Sequence, residues 1–304
     1  MRVGVAATPY AAIPTLDWLL HSSHELSFLI TKPDKPAGRG RVLQESVVAG
    51  WASSHDIDCI KPVATADLLD SLTNLDLVIA IGYGVILPAH ILAVPRYGFI
   101  NLHFSLLPAW RGAAPVQRSI LNGDQFSGVT VFALDAGMDT GPIYVQHLMP
   151  IDPNENAGEL LVRMADMGPE LIAQSLTMME VGELPQTQPL EGVSYAPKVT
   201  TGDARINWRT SAISVHRQIR ALTPEPGTWT TWREATLHVN RARPFPIDGE
   251  LAPGCVLIEN ANVIVGCADG TALILEEVQP AGKKMMSARN WANGARITKG
   301  DSFV

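Results

Sequence analysis

The chain has 304 residues, 46% hydrophobic and 17% charged, with a formal net charge of −7. That balance excludes an intrinsically disordered chain, which combines low hydrophobicity with high charge, and at about 150 residues per domain the length predicts two domains. Cys59, Cys255 and Cys267 are odd in number and far apart, so neither a disulfide framework nor a zinc quartet is expected, in keeping with a reducing cytoplasm. Charge is unevenly spread: residues 201–304 carry a net +2 and the first 200 a net −9. Taken alone this is ordinary scatter between domains, although local charge rather than total charge decides where an anion docks.

Pro9, Pro14 and Asp17 interrupt any signal-peptide core. The most apolar run, 77–89, covers 13 residues and contains Gly82, Gly84 and Pro88, short of the roughly 20 that cross a bilayer. A soluble, cytoplasmic protein with no membrane attachment is expected.

Strands are predicted over 2–7 and 26–31 with a helix over 13–22 between them. A helix over 47–55, a strand at 59–61, a helix over 66–72 and strands at 77–81 and 99–104 follow. Continuous apolar strands separated by helices indicate a mostly parallel sheet covered on both faces. A helix over 116–122 leads to paired strands at 129–134 and 143–151. Leu160, Leu161, Met164, Met167, Leu171 and Leu176 recur at helical spacing and predict one long amphipathic helix over 157–179. Pro185, Pro189, Pro197, Gly192 and Gly202 then mark an extended linker. Beyond it, a helix at 214–222 and five short strands at 229–232, 236–241, 254–259, 262–267 and 272–278 suggest a small OB-like β-barrel.

The first strand ends in Ala6-Ala7-Thr8-Pro9-Tyr10, without the G-x-G-x-x-G that a dinucleotide pyrophosphate needs. There is no P-loop, no metal-ligand spacing among the eight histidines and no G-x-S-x-G, so no metal site is expected. What remains is the polar stretch 101–115. Asn101 and His103, two apart on a strand, point to the same face, at the strand end where open α/β sheets place ligands. Downstream, Asp135-Ala136-Gly137-Met138-Asp139-Thr140-Gly141 forms a turn between two strands. A carboxamide, an imidazole and a carboxylate converging on one cleft suit acyl transfer through a tetrahedral oxyanion. Spacing alone equally allows a strand-end histidine that merely ties down a loop.

The blocks Asn101-x-His103, Ser105-Leu106-Leu107-Pro108, Arg111-Gly112-Ala113-Ala114-Pro115 and Asp135-x-Gly137-Met138-Asp139-Thr140-Gly141 closely resemble the 10-formyltetrahydrofolate-dependent formyltransferases. The resemblance implies a Rossmann-like, mostly parallel α/β formyltransferase domain over 1–182 whose catalytic triad is Asn101, His103 and Asp139. Ser105, Leu106, Leu107 and Pro108 would line the folate site with Val85, Ile86 and Leu87. Within that superfamily, Lys32-Pro33-Asp34-Lys35-Pro36-Ala37-Gly38-Arg39-Gly40-Arg41 resembles the basic loop of the methionyl-tRNA formyltransferases, which enters the acceptor end of the tRNA. Lys32, Lys35, Arg39 and Arg41 would contact phosphate there. Tyr195-Ala196-Pro197-Lys198, Ala204-Arg205-Ile206-Asn207-Trp208 and Pro280-Ala281-Gly282-Lys283-Lys284 look like the same family's linker (183–203) and C-terminal OB-like tRNA-binding domain (204–304), with Lys198 a further tRNA contact.

The implied reaction moves a formyl group from 10-formyltetrahydrofolate to methionyl initiator tRNA, without a metal and as a monomer. Two rivals stand beside it: a sugar-nucleotide N-formyltransferase, which shares triad and folate site without needing the basic loop, and a catalytically silent RNA-binding protein. The sequence also departs from the family pattern. Ala7 replaces the glycine of the usual F-x-G-T-P turn, so that turn is expected either to need no positive φ or to be slightly altered. Residues 42–47 lack the expected proline-serine-proline, and no second lysine follows Lys198.

Overall fold

The computed structural model describes residues 1–37, 42–247, 249–298 and 300–304. In chain order the first strands are β1 (Arg2–Ala7), β2 (Glu25–Ile30), β3 (Lys35–Ala37), β4 (Val42–Gln44), β5 (Cys59–Ile60), β6 (Leu77–Ile81), β7 (Phe99–His103), β8 (Arg111–Gly112), β9 (Phe126–Ala133), β10 (Ile143–Pro150) and β11 (Tyr195–Ala196). The helices are α1 (Ile13–His21), α2 (Val47–Ser54), α3 (Leu69–Leu72), α4 (Ala89–Leu92), α5 (Pro115–Asn122), α6 (Ala157–Asp166) and α7 (Gly168–Glu180). Seven strands make one sheet in the order β10-β9-β7-β6-β1-β2-β5. β7, β6, β1, β2 and β5 run parallel, while β9 and β10 add antiparallel at one edge. Val3 through Ala7 and Leu77 through Ile81 are buried without alternation, because a parallel sheet covered on both faces needs apolar side chains on both. This is the expected architecture. Ala7 stays in the strand without a positive φ, the first of the two expected alternatives.

The single helix expected over 157–179 is instead two, α6 and α7, broken at Met167. The break is at Gly168-Pro169. Proline cannot donate into a helical ladder and is tolerated in a first turn. A Cβ on Gly168 would stand 2.7 Å from Thr15 Oγ1 and 2.8 Å from Leu102 Cδ2, so the new helix starts where only glycine fits. The hydrophobic period runs through the break because both helices bury the same kind of face.

Two compact units result. The first comprises Met1–Pro115, Phe126–Pro150 and Leu161–Pro197, and the second comprises Val116–Gln125, Ile151–Leu160 and Lys198–Val304. In the second, α8 (Ala212–Leu222) and the strands β12 (Thr228–Trp232), β13 (Ala235–Phe245), β14 (Val256–Glu259), β15 (Asn262–Gly266) and β16 (Ala272–Pro280) appear as expected in number and order. They pair antiparallel as β12-β13-β16-β15-β14. β17 (Met286–Ser287) and α9 (Ala288–Ala295) were not foreseen; Ser287 caps α9, its Oγ accepting from the Asn290 amide. Trp208, Trp232, Trp291 and Phe303 pack as one aromatic cluster within this unit's core. No helix of the described residues is long and apolar enough to cross a membrane.

Candidate active site

β7 lies between β6 and β9, so its C-terminal end is at the middle of the sheet. Asn101 and His103 project from one face of it, two residues apart. His103 is 5% exposed. Its Nε2 lies 3.1 Å from the carbonyl oxygen of Trp110. A carbonyl only accepts, so Nε2 carries the proton and the Nδ1 lone pair is left for other work. Nδ1 faces Asp139 Oδ2 at 3.8 Å, and Phe132 packs edge-on to the ring. Asp139 in turn accepts a 2.7 Å bond from the Gly112 amide. Among the described residues the Asn101 carboxamide has no hydrogen-bond partner, and its side chain is half-exposed.

Burial pushes the His103 pKa below the ordinary histidine value, against the opposing pull of the Asp139 carboxylate and the Trp110 carbonyl. Removing the ring from water disfavours the imidazolium, while a carboxylate within a few ångströms favours it. A neutral ring beside a carboxylate that is ready to stabilise its protonated form has the electrostatics of a general base.

The segment after β7 is locked by a buried polar hub. Thr130 Oγ1 donates to the Ser105 carbonyl (2.6 Å) and accepts from the Leu107 amide (3.2 Å) and Gln146 Nε2 (3.0 Å), and Gln146 Nε2 also donates to the Leu107 carbonyl (2.7 Å). Ser105 Oγ is turned inward onto the Ala109 carbonyl at 2.6 Å. Of the four residues expected at the folate site in this segment, Ser105 and Leu107 are therefore buried, and Leu106 and Pro108 are half-exposed. The loop after β6 leaves the sheet beside β7, with Ala80 in register with Asn101. There Ile86 is 88% exposed, Val85 is partly exposed and Leu87 is buried.

Lys32 and Lys35 line a cleft of about 270 Å³ together with Tyr83 and Val85. Gly84 has φ +64°, and a Cβ there would stand 2.8 Å from Lys32 Nζ, so this lysine lies against the β6 loop. Arg39 and Arg41 fall outside the described residues. Lys198 is exposed and belongs to the second unit. Among the described residues no group of three or more His, Cys, Asp or Glu side chains could hold a metal ion.

Sequence reasoning missed several residues that touch this site. Trp110 supplies the histidine's backbone partner. Arg111, 9% exposed, donates from Nη2 to Gln188 Oε1 at 2.6 Å, and Gln188 Nε2 donates to the carbonyls of Asp139 (2.9 Å) and Gly141 (2.8 Å). Ser194 Oγ accepts from the Trp110 amide at 2.9 Å. Arg111 lay inside a recognised block. Gln188 and Ser194 sit in polar, proline-rich text that carries no signal of contact.

The Formyl transferase family matches residues 3–176, and the family called Formyl transferase, C-terminal domain, matches 198–296. The methionyl-tRNA formyltransferase of Acidothermus cellulolyticus is 46% identical over 325 residues, covering 100% of both chains. That of Salinispora tropica is 44% identical over 306 residues, covering 99% of each. Among solved structures, the N-formyltransferase from Helicobacter canadensis in complex with folinic acid and dTDP-3-aminofucose superposes with a TM-score of 0.70 at 20% identity, covering 92% of this chain and 99% of that one. At that identity the likeness speaks for the fold alone. Both matched domains and the identity over the full length agree, and the chain belongs to the methionyl-tRNA formyltransferase family.

Proposed function

We propose that this chain transfers the formyl group of 10-formyltetrahydrofolate to the α-amino group of methionine esterified to initiator tRNA, in the cytoplasm and as a monomer. The observation that carries the chemistry is one strand face on which an uncommitted Asn101 carboxamide stands two residues from a buried His103, itself set between the Trp110 carbonyl and the Asp139 carboxylate. The substrate follows from the identity with methionyl-tRNA formyltransferases over the whole chain.

Asn101 donates its amide N–H to the formyl oxygen as the amine attacks the formyl carbon. An oriented donor of this kind is worth about 3 kcal/mol of barrier. The His103–Asp139 pair takes up the proton that the amine loses as the new C–N bond forms. Nδ1 is the atom that gains it, since Nε2 is tied to Trp110, and Asp139 stabilises the resulting imidazolium. The pair returns the proton to N10 as the bond from the formyl carbon to that nitrogen breaks. Such proton management typically contributes about 10²–10⁴-fold.

Residues 1–182 are read as the catalytic domain, 183–203 as the linker and 204–304 as the tRNA-binding domain. Val85, Ile86, Leu106 and Pro108, which keep exposed surface, are assigned to contact the folate, and the buried Leu87, Ser105 and Leu107 to shape the two segments that carry them. Lys32, Lys35, Arg39, Arg41 and Lys198 are assigned to tRNA phosphates. The sugar-nucleotide reading has a relative of the same fold in its favour, but at 20% identity against 44–46% over the whole chain.

The deciding assay offers charged initiator tRNA, charged elongator tRNA and an amino sugar nucleotide side by side with the formyl donor. Formylation of the initiator species supports the reading. Formylation of the sugar nucleotide alone overturns it.

A further inference from the structure

Among the described residues His103 has two polar neighbours, Trp110 and Asp139, and both hold a left-handed backbone, which tryptophan seldom adopts and aspartate tolerates better. Trp110 has φ +61° and Asp139 has φ +53°. Left-handed backbone at a non-glycine residue is costly and persists only where surrounding groups over-determine it. Gly112 and Asp135 hold the Asp139 turn from nearby, and further holding groups come from one stretch of chain, 186–196, that looks like plain linker. Gln186 exchanges two 2.7 Å backbone hydrogen bonds with Ile143, just beyond the Asp139 turn. Ser194 takes the amides of Trp110 and Arg111 on its Oγ and its carbonyl, each at 2.9 Å. β11 then pairs in parallel with β8, immediately after Trp110.

Gln188 is the centre of this strap. Among the described residues 181–195 it alone is buried, while Leu184 and Leu190 on either side are 82% and 94% exposed. A segment that leaves its leucines in water yet buries a glutamine gains little from apolar burial, so the glutamine's hydrogen bonds are what hold it there. Its Oε1 is taken by the Arg111 guanidinium, which forces its Nε2 hydrogens toward the carbonyls of Asp139 and Gly141. The guanidinium thus fixes which way round the amide sits. Arg111 is itself 9% exposed, so the guanidinium that turns the amide is held inside the fold rather than in solvent.

We propose that Gln188, oriented by Arg111, is a positioning residue for formyl transfer: it fixes the backbone of Asp139 so that the carboxylate faces His103. This makes the linker part of the catalytic apparatus. The proposal rests on the His103–Asp139 assignment made under Proposed function.

Gln188→Glu keeps the shape and the acceptor for Arg111 but offers no hydrogens to the two carbonyls. Gln188→Met keeps the bulk and removes every hydrogen bond. Both are compared with wild type, with the exposed control Leu190→Ser and with Asp139→Asn. The measurements are kcat, KM for each substrate, the pH profile of kcat and thermal melting, with activities taken below the melting transition and per folded enzyme. We expect kcat to fall about 10- to 100-fold in both Gln188 variants, the scale set by a small misplacement of a catalytic group, with both KM values within about two-fold of wild type. The acidic limb of the kcat profile should move to lower pH, because His103 loses the carboxylate that raises its pKa. Leu190→Ser should match wild type.

If the Gln188 variants melt earlier but keep wild-type kcat and an unmoved acidic limb, the residue is structural only and the proposal fails. If Asp139→Asn also keeps full turnover, the His103–Asp139 assignment itself is what has failed.

Discussion

Thr130→Val removes one hydroxyl from a fully buried side chain and leaves its volume almost unchanged. That hydroxyl is the hub that fixes the residues after β7. Gln146 Nε2 also loses Thr130 but keeps its 2.7 Å bond to the Leu107 carbonyl, so the groups counted as left unsatisfied are the Ser105 carbonyl and the Leu107 amide. A buried polar group left unsatisfied costs about 1–3 kcal/mol, and the extra valine methyl recovers no more than about 0.8 kcal/mol. The net expectation is a loss of about 3 kcal/mol, well above the spread of ordinary surface changes. Urea titration followed by circular dichroism should show a midpoint lower by about 1 M if the slope is about 3 kcal/mol per M. Thr130→Ser keeps the hydroxyl and should lose only about 0.8 kcal/mol for its missing methyl. Because the hub shapes the proposed folate segment, KM for the formyl donor should rise in Thr130→Val and stay near wild type in Thr130→Ser. A valine variant within about 0.5 kcal/mol of wild type, inside the range of neutral surface changes, would refute the reasoning.

Asn101→Ala, His103→Ala and Asp139→Asn should each lower kcat by about 10²-fold or more per folded enzyme; near-normal turnover in Asp139→Asn, which still offers the Gly112 amide an acceptor, rules out the triad. His216 on α8 is buried, and its pKa is pushed down to about 4 by burial first and then by Arg220 and Arg217. The unfolded chain therefore binds the extra proton more readily, so this contribution to stability is complete above pH 6.5 and is lost as the pH falls from 6.5 towards 4. His216→Leu should flatten that part of the stability–pH curve in a denaturation series, and an unchanged acidic slope would contradict it. Arg39→Ala should leave folding within about 0.5 kcal/mol of wild type yet impair formylation of charged tRNA in a salt-dependent way, with donor binding intact; wild-type rates on tRNA would remove the basic loop from the binding reading.

What the sequence determined by itself is whatever depends on near neighbours. The buried strands β1 and β6 are continuous apolar runs, legible because a covered parallel sheet demands apolar side chains on both faces. Asn101 and His103 share a face because strand side chains alternate. Even the α6–α7 break was written locally, in Gly168-Pro169, though the hydrophobic period running through it predicted one helix. β17 and α9 carried no comparable pattern. β17 is held by pairing with β16, and α9 by Trp291 packing on Trp232, far away in sequence, and on Phe303, which also stacks on Trp208. The hydrogen bonds around His103 lie further still beyond sequence reasoning. Trp110 contributes a carbonyl, which every residue has, so its side chain announces nothing. Gln188 meets Arg111 and Asp139 across 77 and 49 residues of chain. An amide in a linker is indistinguishable from a solvated one until folding brings a guanidinium to its oxygen and two carbonyls to its nitrogen. Side-chain chemistry and strand period fixed which groups could react, and only the tertiary structure decided which backbone groups hold them in place.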